Sequence, residues 1–114
     1  MPYIHFTTNQ TLTPSQKEEL KTQFGRAIEL IPGKSEDYLM ITLTDKQDMY
    51  FGGKGDKPLF MVEISIFGSA SRADYAAETA AVCDIAQNVV GINTNDCYIT
   101  YREVSEWGCG GENL

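Results

Sequence analysis

Four stretches of the chain are predicted to be β-strands, and the second and third alternate their residues with the period of two that is typical of a strand. In the third stretch, every second residue from Phe60 to Ile66 is large and apolar, which predicts one face buried against a core. The predicted strands are Tyr3–Thr8, Tyr38–Thr44, Leu59–Phe67 and Cys97–Glu103.

A helix is predicted between the first two strands. Thr13, Pro14 and Gln16 form a capping box with proline in the first turn, and Pro32–Gly33 ends the segment. Apolar residues follow the cap at helical spacing, so one face of this helix is expected to be buried. Its predicted buried residues are Leu20, Phe24, Ala27, Ile28 and Ile31.

A second helix, rich in alanine, is predicted between the third and fourth strands. It begins at the capping box of Ser71 and Asp74 and ends at Gly91. Its predicted buried stripe is Ala77, Ala81, Ile85 and Val89.

The order of elements is therefore βαβ followed by βαβ, with pseudo-repeats at about residues 2–45 and 58–103 of one domain, 1–114. This order predicts an α/β (α+β) fold with a four-stranded sheet. Two helices cover only one face of such a sheet. The other face carries a mixture of polar and apolar residues, which favours burial against another subunit.

Composition narrows the classes of function. The 114 residues carry 9 Lys and Arg against 16 Asp and Glu, a net charge of −7, which argues against a nucleic-acid binder. No apolar run approaches the length of a membrane span, and the first residues lack the features of a signal peptide. We therefore expect a cytoplasmic protein with no membrane partner, and secretion without a signal peptide stays open.

The sequence gives little support for a dithiol motif, a phosphate-binding loop or a metal site. Cys83, Cys97 and Cys109 form no CxxC pair, and we expect three free thiols, at least two of them buried. The glycine-rich segment 52–57 precedes a strand and lacks the Ser or Thr of a phosphate-binding loop. His5 is the only histidine and has no second ligand for a metal, so it is expected to be structural.

The amino terminus offers a different kind of base. Pro2 follows the initiator methionine, and removal of Met1 would leave its nitrogen as a free secondary amine. Model α-amino groups titrate near ~8, and burial or a neighbouring cation lowers that pKa. A neutral amine at pH 7 is a competent general base.

The chain as a whole resembles the macrophage migration inhibitory factor family of the tautomerase superfamily. The resemblance runs from end to end. It rests on Met1–Pro2 before a strand, Gly33–Lys34, Phe51–Gly52–Gly53, Ser65–Ile66, Tyr98–Ile99 and Trp107 in this order. It implies a homotrimer with active sites between adjacent subunits.

The resemblance also implies a role for individual residues. Pro2 would be the general base, and Lys34 would bind the substrate carboxylate and help to keep the Pro2 amine neutral. Ile66 would offer a backbone contact. The other binding residues it implies are Tyr98 from the neighbouring subunit, Thr100, and Tyr38 and Trp107 near the mouth.

Three residues depart from the family pattern. Thr100 replaces an asparagine and reaches less far, Ser35 replaces a proline beside Lys34, and Phe67 is a bulky insertion near the pocket. The dithiol motif of some members is missing at residues 58–61.

The leading hypothesis is a cofactor-independent isomerase, an enol–keto tautomerase of the phenylpyruvate or dopachrome type. Its substrate would be a small aromatic 2-oxo acid, and it would need no metal or organic cofactor. The alternative is a secreted, cytokine-like protein that binds a cell-surface receptor and retains only vestigial catalysis. A third option is a ferredoxin-like binding domain, which has the same order of elements.

Overall fold

The computed structural model describes all residues, 1–114, and forms one four-stranded sheet with two helices on one of its faces. A short hairpin ends the chain. The strands are β1 (Pro2–Thr8), β2 (Met40–Thr44), β3 (Phe60–Phe67), β4 (Tyr98–Val104), β5 (Gly108–Cys109) and β6 (Glu112–Asn113). The helices are α1 (Pro14–Ala27) and α2 (Arg72–Val90), and 3₁₀ turns occupy Ile28–Leu30, Glu36–Tyr38 and Thr94–Asp96.

The main sheet has the order β2-β1-β3-β4. The outer strands run parallel to their neighbours, and the central pair β1 and β3 is antiparallel. The two strands of each βαβ unit are thus adjacent. In a ferredoxin-like sheet a strand of the other unit separates them, so this topology excludes the ferredoxin-like alternative.

The predicted capping boxes form in both helices. Thr13 accepts a hydrogen bond from the Gln16 backbone and Ser71 accepts one from the Asp74 backbone, each at 3.1 Å. Gly91 ends α2 with φ of 73°, a left-handed conformation that glycine adopts without strain. No helix of the structure is both long and apolar enough to cross a membrane.

The core lies between the helices and one face of the sheet. Phe6 stacks on Phe60 at 5.5 Å between ring centroids and also contacts Phe24 of α1 at 5.8 Å. All five residues predicted to be buried on the first helix are buried, as are the four predicted on β3. The periodic spacing of apolar residues therefore predicts the core face of α1 and β3 correctly.

The predicted buried stripe of α2 is wrong in part. Ala77 is exposed, and the residue after it, Glu78, is fully buried in its place. Alanine buries little area wherever it lies, so an alanine-rich helix gives a weak periodic signal. The larger Val82 faces the core and marks which side of the helix is buried. The expectation of buried cysteines is also wrong: Cys83 and Cys97 are half-buried and Cys109 is exposed.

The opposite side of the sheet, here called the open face, has no helix over it. Its strand residues are Tyr3, His5, Thr7, Met40, Thr42, Thr44, Met61, Glu63, Ser65, Phe67, Tyr98, Thr100, Arg102 and Val104. Polar contacts cross it, among them a 2.9 Å hydrogen bond from Tyr3 to Thr42 and one of 3.0 Å between His5 and Thr44. No group of three or more His, Cys, Asp or Glu side chains lies in an arrangement that could hold a metal ion.

Candidate active site

The amino terminus opens into a groove of about 590 Å³ at one end of the open face. Strand β1 begins there, between β2 and β3, and the carboxyl-terminal hairpin supplies the remaining wall. Twelve residues line the groove: Met1, Pro2, Tyr3, Tyr38, Met40, Thr42, Ser65, Arg102, Val104, Trp107, Gly108 and Cys109.

Pro2 is held firmly at this position. It is buried and lies opposite Ile66 in the antiparallel register of β1 and β3. The Phe67 backbone N–H donates a 2.9 Å hydrogen bond to the Met1 carbonyl, which extends the pairing past Pro2. The side chain of Ile66 lies in the core at 1% exposure, so only its backbone faces the strand that carries Pro2.

Lys34 reaches the same end of the sheet from the loop after α1. Its ammonium group donates a 2.7 Å hydrogen bond to the carbonyl of Phe67, although Lys34 does not itself line the groove. Burial lowers the pKa of the amino group of Met1, and the nearby charge of Lys34 lowers it further. This corner of the molecule therefore disfavours a protonated amine.

Two of the predicted aromatic residues lie at the groove. Tyr38 ends the 3₁₀ turn before β2 and is 65% exposed, and Trp107 precedes the hairpin. The backbone of Leu114 donates a 2.9 Å hydrogen bond to the Trp107 carbonyl, which closes the hairpin against this residue. Pro2, Tyr38 and Trp107 are thus brought together within one chain.

Tyr98 and Thr100 lie elsewhere on the open face. In the register of β3 and β4 they stand opposite Met61 and Glu63, whereas the groove begins near Ser65. Four residues at about 3.3 Å each place Tyr98 about 13 Å along β4 from Arg102. Tyr98 is 63% exposed and its ring contacts that of Phe51 at 5.2 Å. A single chain therefore does not bring Tyr98 to Pro2.

The structure adds a charged residue that the sequence analysis did not single out. Arg102 lies opposite Ser65 on β4 and lines the groove beside the amino terminus. The signal was present in the sequence, because residues 98, 100 and 102 alternate along one strand and must share a face.

Comparison with known proteins gives one family. The family model for macrophage migration inhibitory factor matches residues 1–113, and no curated protein matches the chain. MIF2 from Leishmania major has a TM-score of 0.92 at 22% identity, over 100% of this chain and 97% of that one.

Two further solved structures share the fold. Pt0534, solved after inactivation by 2-oxo-3-pentynoate, has a TM-score of 0.82 at 15% identity, over 97% of this chain and 95% of that one. A fused 4-OT, solved as an asymmetric trimer, has a TM-score of 0.81 at 17% identity, over 97% and 94% of the two chains. At these identities the two structures are informative about the fold.

Proposed function

This chain belongs to the macrophage migration inhibitory factor family, and we propose that it is an enol–keto tautomerase whose general base is the amine of Pro2. One observation carries the proposal. Pro2 is buried at the start of β1 in the largest groove of the open face, where burial and Lys34 together lower the pKa of the Met1 amino group.

The base requires that Met1 be removed. While Met1 is attached, the Pro2 nitrogen belongs to an amide and has no basic lone pair. After removal, the amine is that of Pro2, which is buried, and burial and Lys34 are the causes that lower the pKa of the Met1 amine at the same place. A neutral Pro2 amine at pH 7 is what the proposal requires.

The reaction is a proton transfer within the substrate. The Pro2 amine accepts the proton of the enol hydroxyl, the C–O bond becomes a carbonyl, and Pro2 then delivers a proton to the adjacent carbon. No electrons leave the substrate, so an isomerisation of this type needs no cofactor. Small aromatic 2-oxo acids such as phenylpyruvate fit a groove with apolar walls at Tyr38, Met40 and Trp107.

The remaining residues bind and orient the substrate in this proposal. Lys34 binds the carboxylate, since its ammonium uses one of three N–H donors on the Phe67 carbonyl. The backbone of Ile66 borders the reacting end. Tyr98 and Thr100 are supplied by a neighbouring subunit of a homotrimer, an arrangement supported by the trimeric 4-OT of the same fold.

The substitution Pro2→Gly tests the base. Glycine leaves a primary amine on a flexible residue in place of the buried ring, and we expect phenylpyruvate ketonisation to fall by about 100-fold or more, the lower range of general-base effects. Pro58→Gly is the matched control, since Pro58 is exposed and lies outside the groove. Intact mass spectrometry establishes in each sample that Met1 is absent. Equal rates for the natural protein and Pro2→Gly would contradict the assignment.

The receptor-binding alternative is tested with the same variant. It rests on membership of the family and on no separate feature of this structure. If Pro2→Gly loses turnover but binds cell surfaces as the natural protein does, signalling and catalysis are separable in this protein. Absence of saturable cell-surface binding by the natural protein would remove the alternative.

A further inference from the structure

Arg102 is an unpaired cation and the only charged side chain that lines the groove. Its side chain is exposed, and it makes no hydrogen bond or ion pair within the chain. The register places it opposite Ser65, which in turn lies opposite Tyr3, so all three belong to one row across the open face. Arg102 lines this groove and, together with Glu63, a neighbouring one of about 310 Å³, and its five N–H donors have no partner within the chain.

The charge around Arg102 favours an anionic ligand. The protein carries a net charge of −7, yet none of the twelve groove residues is Asp or Glu, and Arg102 is the only charged side chain among them. Glu63, the one acidic strand residue of the open face, lies outside the groove and approaches His5 at 3.7 Å. Glu103 accepts a 2.6 Å hydrogen bond from Tyr75. Neither carboxylate forms an ion pair with the guanidinium.

Arg102 and Lys34 approach the amino terminus from different places. Lys34 bonds to the carbonyl of Phe67, and Arg102 lies beside Ser65. Phe67 and Ser65 are the two neighbours of Ile66 on β3, so the two cations lie on either side of the residue opposite Pro2. A ligand whose single carboxylate is bound by Lys34 leaves Arg102 without a counter-ion.

We propose that Arg102 binds a second anionic group, so that the site selects 2-oxo acids that carry another carboxylate at the end remote from the reacting carbon. The guanidinium is a planar fork that matches a carboxylate with two parallel hydrogen bonds. The inference rests on the proposed function for the reaction, and it adds a residue and a substrate class to it. Apolar groove residues such as Met40, Val104 and Trp107 contact the carbon skeleton between the two charges.

Binding is measured with ligands that cannot tautomerise. The pair is 3-phenylpropanoate, with one carboxylate, and 3-(4-carboxyphenyl)propanoate, with two. Trp107 is the only tryptophan and lines the groove, so its fluorescence reports occupancy. We expect the natural protein to bind the dianion about tenfold more tightly than the monoanion, as suits one added charged hydrogen-bonding pair.

Substitution of the arginine removes this selectivity. In Arg102→Gln the ratio of the two affinities falls to about one, while Arg102→Lys keeps part of it because the charge remains without the fork. Arg72→Gln is the matched control, an exposed arginine at the start of α2 outside the groove, and it keeps the natural ratio. Far-ultraviolet circular dichroism checks that each variant is folded.

The outcomes separate this inference from the proposed reaction. Equal affinities of the natural protein for the two ligands, a ratio that survives Arg102→Gln, or no saturable binding of either ligand overturns the role of Arg102. Because neither ligand has an oxo group to enolise, a failure of Pro2 as a base leaves this binding result unaffected. Conversely, a tautomerase that ignores the second carboxylate retains the proposed function and loses only the inference.

Discussion

Lys34 links the loop after α1 to the chemistry of the amino terminus. Its ammonium is fixed on the Phe67 carbonyl at 2.7 Å, close enough that its charge contributes to the lowered pKa of the amino group of Met1. A lysine so placed acts twice in the proposed reaction, because it attracts the substrate carboxylate and repels a proton from the base. The two effects are separable by experiment.

Replacement of Lys34 by methionine preserves the length of the side chain and removes its charge. We expect KM for phenylpyruvate to rise by about tenfold, the value of one charged hydrogen bond. Without the cation the pKa of the amine rises, so the acid limb of the kcat/KM profile moves to higher pH. The measurement is that profile, compared with Lys54→Met in the exposed glycine-rich loop. Superimposable profiles of Lys34→Met and the natural protein would exclude both roles.

At the scale of elements, helix α2 contains a carboxyl group in the core. Glu78 is fully buried, and neither of its oxygens has a hydrogen-bond partner. Burial disfavours the ionised form and raises the pKa of Glu78 from 4.5 to about 8. The helix tolerates the residue because Val82, Ile85 and Ala86 bury the same side of it.

This carboxyl predicts a stability that falls as pH rises. Below pH about 4.5, Glu78 is protonated in both the folded and the unfolded chain, and its titration takes nothing from the free energy of unfolding. As pH rises from 4.5 toward about 8, the unfolded chain ionises and the folded one does not, which costs at most about 1.4 kcal/mol per pH unit. Above about pH 8, Glu78 is ionised in both states, and the free energy of unfolding falls no further on account of this residue.

The substitution Glu78→Gln removes this titration. Urea unfolding between pH 4.5 and 8 should show a smaller decline in the free energy of unfolding for Glu78→Gln than for the natural protein. Glu106→Gln, at an exposed position after β4, serves as the control and should follow the natural curve. Parallel curves for Glu78→Gln and the natural protein would mean that Glu78 is not held neutral by the fold.

The same helix shows where prediction from sequence ends. Strand β3 and helix α1 were assigned correctly because large apolar residues repeat along them at one spacing. In α2 the alanines gave no such contrast, so Glu78 was missed and Ala77 was wrongly placed inside. Only part of the candidate site could be predicted from the sequence. Pro2 stands out because it follows the initiator methionine. The position of Arg102 at the groove depends on which strands pair, and the local sequence pattern does not encode strand pairing.

At the scale of the whole molecule, the placement of Tyr98 bears on assembly. Within one chain it lies beyond the groove on the open face, so a site that uses Pro2 and Tyr98 together needs two copies. We expect sedimentation equilibrium to give three times the 12.7 kDa mass of the chain. A stable monomer would exclude a shared site.

Mixed oligomers give a functional version of this test. Pro2→Gly and Tyr98→Ala are each expected to lose most of their turnover. The two variants are unfolded and refolded together in equal amounts. If each site takes its Pro2 and its Tyr98 from different chains, about a quarter of the sites regain both residues. Phenylpyruvate ketonisation by the mixture measures this recovery. No gain over the separate variants would place both residues in one subunit or remove Tyr98 from the site.

The two ends of the chain meet at the groove, because Met1 and Pro2 face Trp107 to Cys109, and the last residues pair with that segment. Any fusion partner joined before Pro2 keeps its nitrogen in an amide, and one joined after Leu114 emerges from the hairpin that forms the wall. The loop at Gly52–Gly53 is unsuitable for a tag as well, because the ring of the preceding residue, Phe51, contacts that of Tyr98 at 5.2 Å. The groove makes the usual sites of attachment the least suitable ones in this protein.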